Sequence, residues 1–447
     1  MQTYELLSLT PVTALSTEQR HTRAMGWFIA EVYRQRANRM RMAKCEAYYD
    51  QYQYDLQTKK DIEARGQYAV VFDRIAPQID WLKGTERRTR IDYRVEARQA
   101  LDMQSTADAE NKTQLLKWLD DTGDSSFERS DAFDDAVTAG LGWMEYGVDL
   151  DSSADSPIVE RRVSWREIVH DSFGTSKATN TMRYIFRIKT VDLDVAVAHF
   201  PSKREQLLRV RQDAASLDTM TTWMNIPGAI LDLTSLFGGG GTTEDDTVSP
   251  MPNMFNARER VLLLECWSME PMRMGPNGQP GTLSDPLRKR PWVQIMTEFD
   301  TLWEGWSPYE HNQYPFVPYW CYREKRTGLP YSPVRRAMDK QDALNSAMSR
   351  AHYEIAMNQV HMEADAIDDE VMDAEEIREE VDDPEGTVVL APGGLNKFRI
   401  QRGFDKAEMH MAMADRYAHA LDESSAITRE NTGRDTSPIS GVARREK

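Results

Sequence analysis

The reading turns on Gly328-Leu329-Pro330-Tyr331-Ser332-Pro333-Val334-Arg335-Arg336-Ala337-Met338-Asp339-Lys340-Gln341, which opens the strongest helical pattern in the chain. Ser332 can cap a helix, because its hydroxyl accepts from a free N–H of the first turn. Pro333 suits the first helical position, where an N–H would have no partner. No Gly or Pro follows until after residue 380. Ala337, Gln341, Leu344, Met348, Ala351 and Ile355 recur at three- and four-residue steps. Arg335, Arg336, Asp339, Lys340, Asp342 and Arg350 fall largely off that stripe, as on an amphipathic helix.

Upstream, residues 13–60 read as helix, capped by Ser16 or Thr17, with Trp27, Val32 and Tyr33 near helical spacing. This helix carries Arg34, Arg36, Arg39, Arg41 and Lys44 and runs into Tyr48, Tyr49, Tyr52 and Tyr54. Its plain reading is a surface helix entering an aromatic core. An apolar stretch, Tyr68 to Phe72, precedes a helix through Ile75, Ile79 and Leu82 that should stop at Gly84, and Ile91 to Glu96 alternates like a strand. Residues 105–140 read as one helix with Leu115, Leu116, Trp118 and Leu119 inward, ended by Gly140-Leu141-Gly142. Strands are expected at Trp143–Leu150, Arg161–Val169 and Met182–Thr190, then a short helix Val191–Phe200 stopped by Pro201.

The clearest break is 235–257, where Gly238 to Gly241 lead into Glu244, Asp245, Asp246, Pro250 and Pro252. No packed core can be built from that composition, so a mobile loop is expected. Strands follow at Val261–Trp267 and Trp292–Phe299, separated by a Pro- and Gly-rich loop from Pro271 to Pro291. Tyr314 to Tyr322, with Pro315 and Pro318, reads as an extended edge segment. Beyond the long helix, 363–383 is strongly acidic, and Gly386–Pro392 reads as a strand with Phe398–Ile400 as partner. A last helix runs from about Asp405 to Glu430 with Met409, Met413, Tyr417 and Leu421 at four-residue steps. The fold class is α+β and helix-rich.

The 447 residues carry 55 basic and 72 acidic side chains, a net charge of −17. That excludes a simple basic-patch nucleic-acid binder, since a grip on phosphates needs clustered Lys and Arg. With 40% hydrophobic and 28% charged residues the chain can bury a core. At about 150 residues per domain the length suits about three domains, or one body with insertions. No apolar run approaches the ~20 residues needed to span a bilayer, and Met1 to Thr10 lack the pattern of a signal peptide. Cys45, Cys266 and Cys321 show no CxxC spacing, so no zinc site or disulfide framework is encoded, and each reads as a thiol of a reducing cytoplasm. The 11 Trp and 17 Tyr suit subunit contacts or core equally.

No phosphate-cradling GxxxxGK[ST], nucleophile elbow, HExxH or deaminase signature occurs. His352 with Glu354, and His361 with Glu363 and Asp365, are the nearest approach to metal spacing. Positions i and i+2 on a helix point apart, which argues against a shared metal shell. The 363–383 carboxylates could hold Mg²⁺ as in a nuclease, but no nearby Lys or His is placed to activate water. No catalytic residue, metal or cofactor is expected.

Several segments together carry a family likeness. They are Tyr48-Tyr49-Asp50-Gln51-Tyr52-Gln53-Tyr54, the run Arg74-Ile75-Ala76-Pro77-Gln78-Ile79-Asp80-Trp81-Leu82-Lys83-Gly84-Thr85-Glu86, and Val191-Asp192-Leu193-Asp194 closing at His199-Phe200-Pro201. Val261-Leu262-Leu263-Leu264-Glu265-Cys266-Trp267 adds to them. So does Tyr314-Pro315-Phe316-Val317-Pro318-Tyr319, leading to the opening stretch and on to Asp339, Gln341, Asn345 and Ser349. In this order, over most of residues 40–441, the chain resembles the portal proteins of short-tailed bacteriophages, ring-shaped DNA gates at one capsid vertex.

The resemblance implies a ring of twelve copies around a channel for duplex DNA, used in packaging and ejection. It implies a wing at 1–230, a Gly-rich linker at 231–257, a β-containing clip at 258–328 and a stem helix at 329–360. A channel-loop region and the rest of the wing would fill 361–447. Channel or inter-stem residues would include Arg335, Arg336, Lys340, Asn345 and Arg350, with Glu363, Asp365, Asp368, Asp369 and Glu370 in the channel-loop region. Arg288, Lys289, Arg290 and Trp292 would lie where the clip docks. Implied partners are terminase, head-completion and tail-adaptor proteins, and the capsid and scaffolding proteins, with no membrane. The protein would belong to the virion after assembly in the host cytoplasm. Family members continue past Ser440-Gly441 into a helical crown, whereas this sequence stops at Lys447, so a crown is expected to be absent or truncated.

Net acidity suits such a gate. Each neutralised phosphate deepens a trap for sliding DNA, whereas an acidic wall holds the duplex off. A ring needs one patch on each side of the protomer, because its contacts are heterologous. Two other classes stay open: a ring-forming head–tail connector without a packaging role, and a metal-dependent nuclease using the 363–383 carboxylates.

Overall fold

The computed structural model describes residues 10–89, 94–98, 103–148, 158–174, 176–210, 212–213, 259–273, 287–363, 366, 374–382, 387–390 and 392–425. Helix α1 (Thr17–Tyr49) opens with a reciprocal cap. The Ser16 hydroxyl accepts from the Gln19 N–H at 3.2 Å, and the Gln19 side chain accepts from the Ser16 N–H at 3.0 Å. It ends short of the expected residue 60, and α2 (Leu56–Glu63) restarts under an Asp55 cap, Thr58 N to Oδ1 at 2.7 Å. Helix α3 (Ala76–Arg88) runs through Gly84 rather than stopping there. A helical glycine costs only about 1 kcal/mol, too little to end a helix by itself. The single helix expected over 105–140 is two, α4 (Met103–Thr122) and α5 (Ser125–Thr138), parted at Gly123 and Asp124, whose φ is +49°.

Strands β1 (Leu141–Val148), β2 (Ile158–Val163), β3 (Ile168–His170) and β4 (Tyr184–Asp192) follow, then α6 (Leu193–His199), α7 (Arg204–Val210) and β5 (Gln212–Asp213). Next come β6 (Glu259–Arg273), β7 (Leu287–Met296), β8 (Thr301–Trp306), β9 (Phe316–Trp320), β10 (Tyr322–Arg323) and β11 (Pro330–Tyr331). The chain continues as α8 (Pro333–Ala356), β12 (Asn358–Met362), α9 (Ala374–Asp382), β13 (Phe398–Arg402) and α10 (Phe404–Ser425). The expected loop 235–257 lies outside the described residues.

The chain divides into two compact units, residues 1–49 with 79–335 and residues 50–78 with 336–447. The first is built on an antiparallel sheet of order β3-β4-β6-β7-β8, with β5 also on β6. The β6–β7 ladder carries through Met269↔Pro291 and Pro271↔Lys289 to Arg273↔Leu287, so the two ends of the loop expected from Pro271 to Pro291, residues 271–273 and 287–291, are sheet. The prolines fit because β6 has left β4 after Ser268 and β7 meets β8 only from Trp292 onward, so each lacks one neighbour.

Helix α1 covers this sheet. Ala24, Phe28 and Val32 pack on Val169, Phe186, Ile188, Leu262, Leu264 and Met296. Phe28 meets Phe186 edge-to-face at 5.4 Å, a burial contributing about 1.5–3 kcal/mol. A second sheet, β2-β1-β9, holds the expected edge segment as β9, and its Trp143 and Phe316 join Met42, Ala43 and Trp267 in another core. Strands β4 and β6, which flank the linker expected at 231–257, are neighbours in one sheet.

In α4 the expected inward face is turned outward: Trp118 is 46% exposed, and Leu115 and Leu116 are exposed too. Spacing showed an apolar stripe there but not which way it faces.

In the second unit α8 presents Leu344, Asn345, Ala347 and Ala351 to the interior, while Ile355 is exposed. Residues 387–390 are not a strand, and β13 pairs instead with β12, from Asn358↔Arg402 to Met362↔Phe398. In α10 the buried side is Ala407, Ala414, Ala418 and Leu421, whereas Met409, Met411 and Met413 are exposed. Of the four-residue series Met409, Met413, Tyr417 and Leu421, Leu421 is buried and the two methionines are exposed.

Candidate functional site

The start of α8 holds one predicted channel residue, Arg335, in a small polar cluster. Ser332 caps it, accepting from the Arg335 N–H at 3.4 Å. The Arg335 guanidinium donates to Glu324 Oε1 at 2.6 Å and lies over the Tyr331 ring, 5.6 Å from its centroid. Glu324 Oε2 accepts from Thr327 at 2.6 Å. The Thr327 hydroxyl and then Arg335 hold the Glu324 carboxyl below its ordinary value, so it stays ionised and balances Arg335.

The other predicted channel residues separate in the second unit. Lys340 donates to the Ala420 carbonyl at 3.2 Å, close to the C-terminus of α10, where the helix dipole favours a cation. Arg336 and Arg350 are exposed, and Arg350 makes no ion pair among the described residues. Asn345 cannot face a channel. Its side chain is 1% exposed and spends its hydrogen bonds inside the unit. Its oxygen accepts from the Phe72 N–H and from Gln341 Nε2, both at 3.0 Å, and its amide donates to Gln53 at 2.6 Å. Gln341 also donates to the Phe72 carbonyl at 2.8 Å and accepts from the Arg74 N–H at 3.2 Å. These amides hold the extended 72–74 backbone against α8. Two amides one turn apart on an otherwise apolar stripe were the available signal.

In the channel-loop prediction, Glu363 is exposed and 3.4 Å from Lys397 Nζ. Asp365, Asp368, Asp369 and Glu370 lie outside the described residues. Among the described residues no three His, Cys, Asp or Glu side chains converge as a metal-binding set.

The predicted docking residues lie in register on β7. Arg288 and Lys289 are exposed opposite Met272 and Pro271. Arg290 is engaged internally, donating to the Ser307 carbonyl at 3.0 Å and lying over Trp306. Trp292 packs edge-to-face on Trp306 at 5.0 Å, with Arg20 on its face. Of these four residues only Arg288 and Lys289 are exposed.

The basic run of α1 is partly structural. Arg39 is buried, donating to the carbonyls of Ile168 at 2.8 Å and Arg166 at 2.7 Å. Burial, with the nearby Arg166 charge, pulls its guanidinium down to about 9. Arg34 pairs with the buried Glu31, and Lys44 lies over Tyr48.

A family model for the phage P22-like portal protein matches residues 25–446, and the chain belongs to that family: it is a phage portal protein, a component of the virion at a capsid vertex with a part in DNA packaging. No curated protein matches it. Among the described residues no helix is long and apolar enough to cross a membrane.

Proposed function

We propose that this chain closes into a ring of twelve copies whose channel passes duplex DNA during packaging and ejection. The family match over nearly the whole chain carries this reading. In it, α8 supplies the stem, the β6–β8 region supplies the clip, and the two remaining parts of the chain supply the wing. Arg336 and Arg350 are the exposed cations of the stem helix that would face DNA or a neighbouring stem, and Arg335 would act with its charge already balanced. Arg288 and Lys289 would meet terminase and, later, head-completion or tail-adaptor proteins, while capsid and scaffolding proteins would meet the outer face. Glu363 and the acidic residues after it would hold the duplex away from the wall. The exposed apolar side chains of α4 and the methionines of α10 supply the surface that a heterologous ring contact needs to bury. The protein's work is structural, with no catalytic step.

End-on electron-microscope averages of the purified chain test this directly. Twelve-fold rotational symmetry around an open centre is expected, and a protein that stays monomeric or forms closed dimers refutes it. A packaging assay separates the portal from a later connector: without a portal heads stay empty, whereas without a connector they fill and leak.

A further inference from the structure

The turn joining β10 to β11 displays cations that no acid among the described residues neutralises. Lys325 and Arg326 are exposed at its tip and make no ion pair among the described residues. The turn is braced from behind. The Glu324 N–H donates to the Leu329 carbonyl at 2.9 Å, and the Gly328 N–H to the Glu324 carbonyl at 2.8 Å. Gly328 has φ +72°, and a Cβ there would come 3.1 Å from Arg323 Nη2. Arg323 donates to the carbonyls of Gly328 at 2.8 Å and Gly174 at 3.1 Å, and lies 4.5 Å over the Trp320 ring.

The one acid of the turn, Glu324, has both oxygens committed, to Arg335 and Thr327. It therefore cannot fold forward to quench the tip. Arg41, exposed on α1, is close enough to act electrostatically on Glu324, so a third cation flanks the turn.

We propose that the Lys325–Arg326 turn, flanked by Arg41, is a contact surface for the phosphate backbone of duplex DNA. The identification of DNA rather than another polyanion rests on the portal reading. The physical argument is that the braced backbone fixes where the two cations start, so binding has to order only their side chains, and residues 325–327 carry no apolar anchor. Protein partners are gripped mainly by buried aromatic or aliphatic anchors, whereas a uniform phosphate ladder needs only positioned cations. Such contacts carry no base preference and can be exchanged as the duplex slides.

The test is fluorescence anisotropy of a labelled duplex titrated with the full-length protein across a series of salt concentrations. The Lys325→Ala/Arg326→Ala variant is expected to bind about tenfold more weakly at low salt. Its slope of log K against log salt should fall by about 1.8 for each turn engaged, at about 0.9 per phosphate contact. Lys406→Ala, which removes an exposed cation elsewhere, should leave both unchanged. Gly328→Ala keeps every charge but strains the turn, and should weaken binding with little change in slope.

The proposal is overturned if the double variant binds duplex with wild-type affinity and slope, or if the wild type binds no duplex at low salt. It is also overturned if the double substitution abolishes binding of a poly-glutamate peptide while duplex binding is unchanged, which would mark a protein-docking surface. Electron microscopy of the same samples separates the two ideas. Rings with an unaltered duplex slope sink the turn and leave the portal reading standing, whereas a wild type without rings sinks the portal reading.

Discussion

Gln341 and Asn345 stand one helical turn apart on the buried face of α8 and share a hydrogen bond, Nε2 to Oδ1 at 3.0 Å. The pair is the centre of a polar network that ties the helix to Gln53 and to the backbone of Phe72 and Arg74. A buried network of this kind is worth most when every member is satisfied, because an orphaned group pays its full desolvation cost.

Asn345→Leu should therefore destabilise the protein by about 2–4 kcal/mol, since it strands the Phe72 N–H and Gln53. Urea unfolding measures this. A role for Asn345 at the DNA would instead change duplex binding and leave unfolding untouched.

Glu270 is 1% exposed and joins Arg23, 3% exposed, at 2.9 Å and Arg183 at 3.0 Å. Burial depresses the Arg23 guanidinium, with Glu270 pulling the other way. Glu270→Leu leaves a buried cation unpaired and should cost about 3–5 kcal/mol. The Arg23→Met/Glu270→Leu double variant should cost less than the single one. A double-mutant cycle in thermal or urea unfolding checks the inequality.

His170 lies between the rings of Trp143 at 5.7 Å and Trp320 at 5.6 Å, and burial, aided by the charges of Arg39 and Arg323, pushes its imidazole down to about 3 from 6.5. Because the folded value is depressed, the unfolded chain binds the extra proton first. The stability associated with His170 is present in full above about pH 6.5 and is lost as the pH falls toward about 3, by at most about 1.4 kcal/mol per pH unit. His170→Gln should flatten the acid limb of a stability–pH curve. An unchanged limb in that variant would exclude this account.

Gly142 of β1 faces the backbone of α5 so closely that a Cβ would collide with the Ala132 carbonyl. Gly142→Ala should cost several kcal/mol, as overpacking against backbone that cannot yield. Expression with circular dichroism and a melting curve reports it. A variant melting within about two degrees of wild type would show that the helix can shift.

The signals that were legible in sequence were local ones. Ser332-Pro333 starts α8, Pro201 ends α6, and Gly140, at φ +111°, closes α5. Each follows from what one residue's backbone can donate or adopt. Signals that need a neighbour were read poorly. The run Leu115, Leu116 and Trp118 has the spacing of a buried face, yet α4 leaves it exposed. The strand near 386–392 was expected from composition, while the actual partner of β13 is β12. Lys325 and Arg326 carry no motif, and their prominence depends on Glu324 being committed elsewhere.

The sequence by itself determined where α8 begins and where α5 and α6 end, that the chain is acidic and α+β, and which family it joins. These properties rest on dihedral preference, hydrophobic period and the order of segments along the chain. The tertiary structure alone decided which face of each amphipathic element is covered, which strands pair, and which charges are spent internally and which are left for a partner. Burial and charge neutralisation depend on atoms hundreds of residues apart in sequence: Arg20 meets Glu304, and Asn345 meets Gln53, only after the chain has folded.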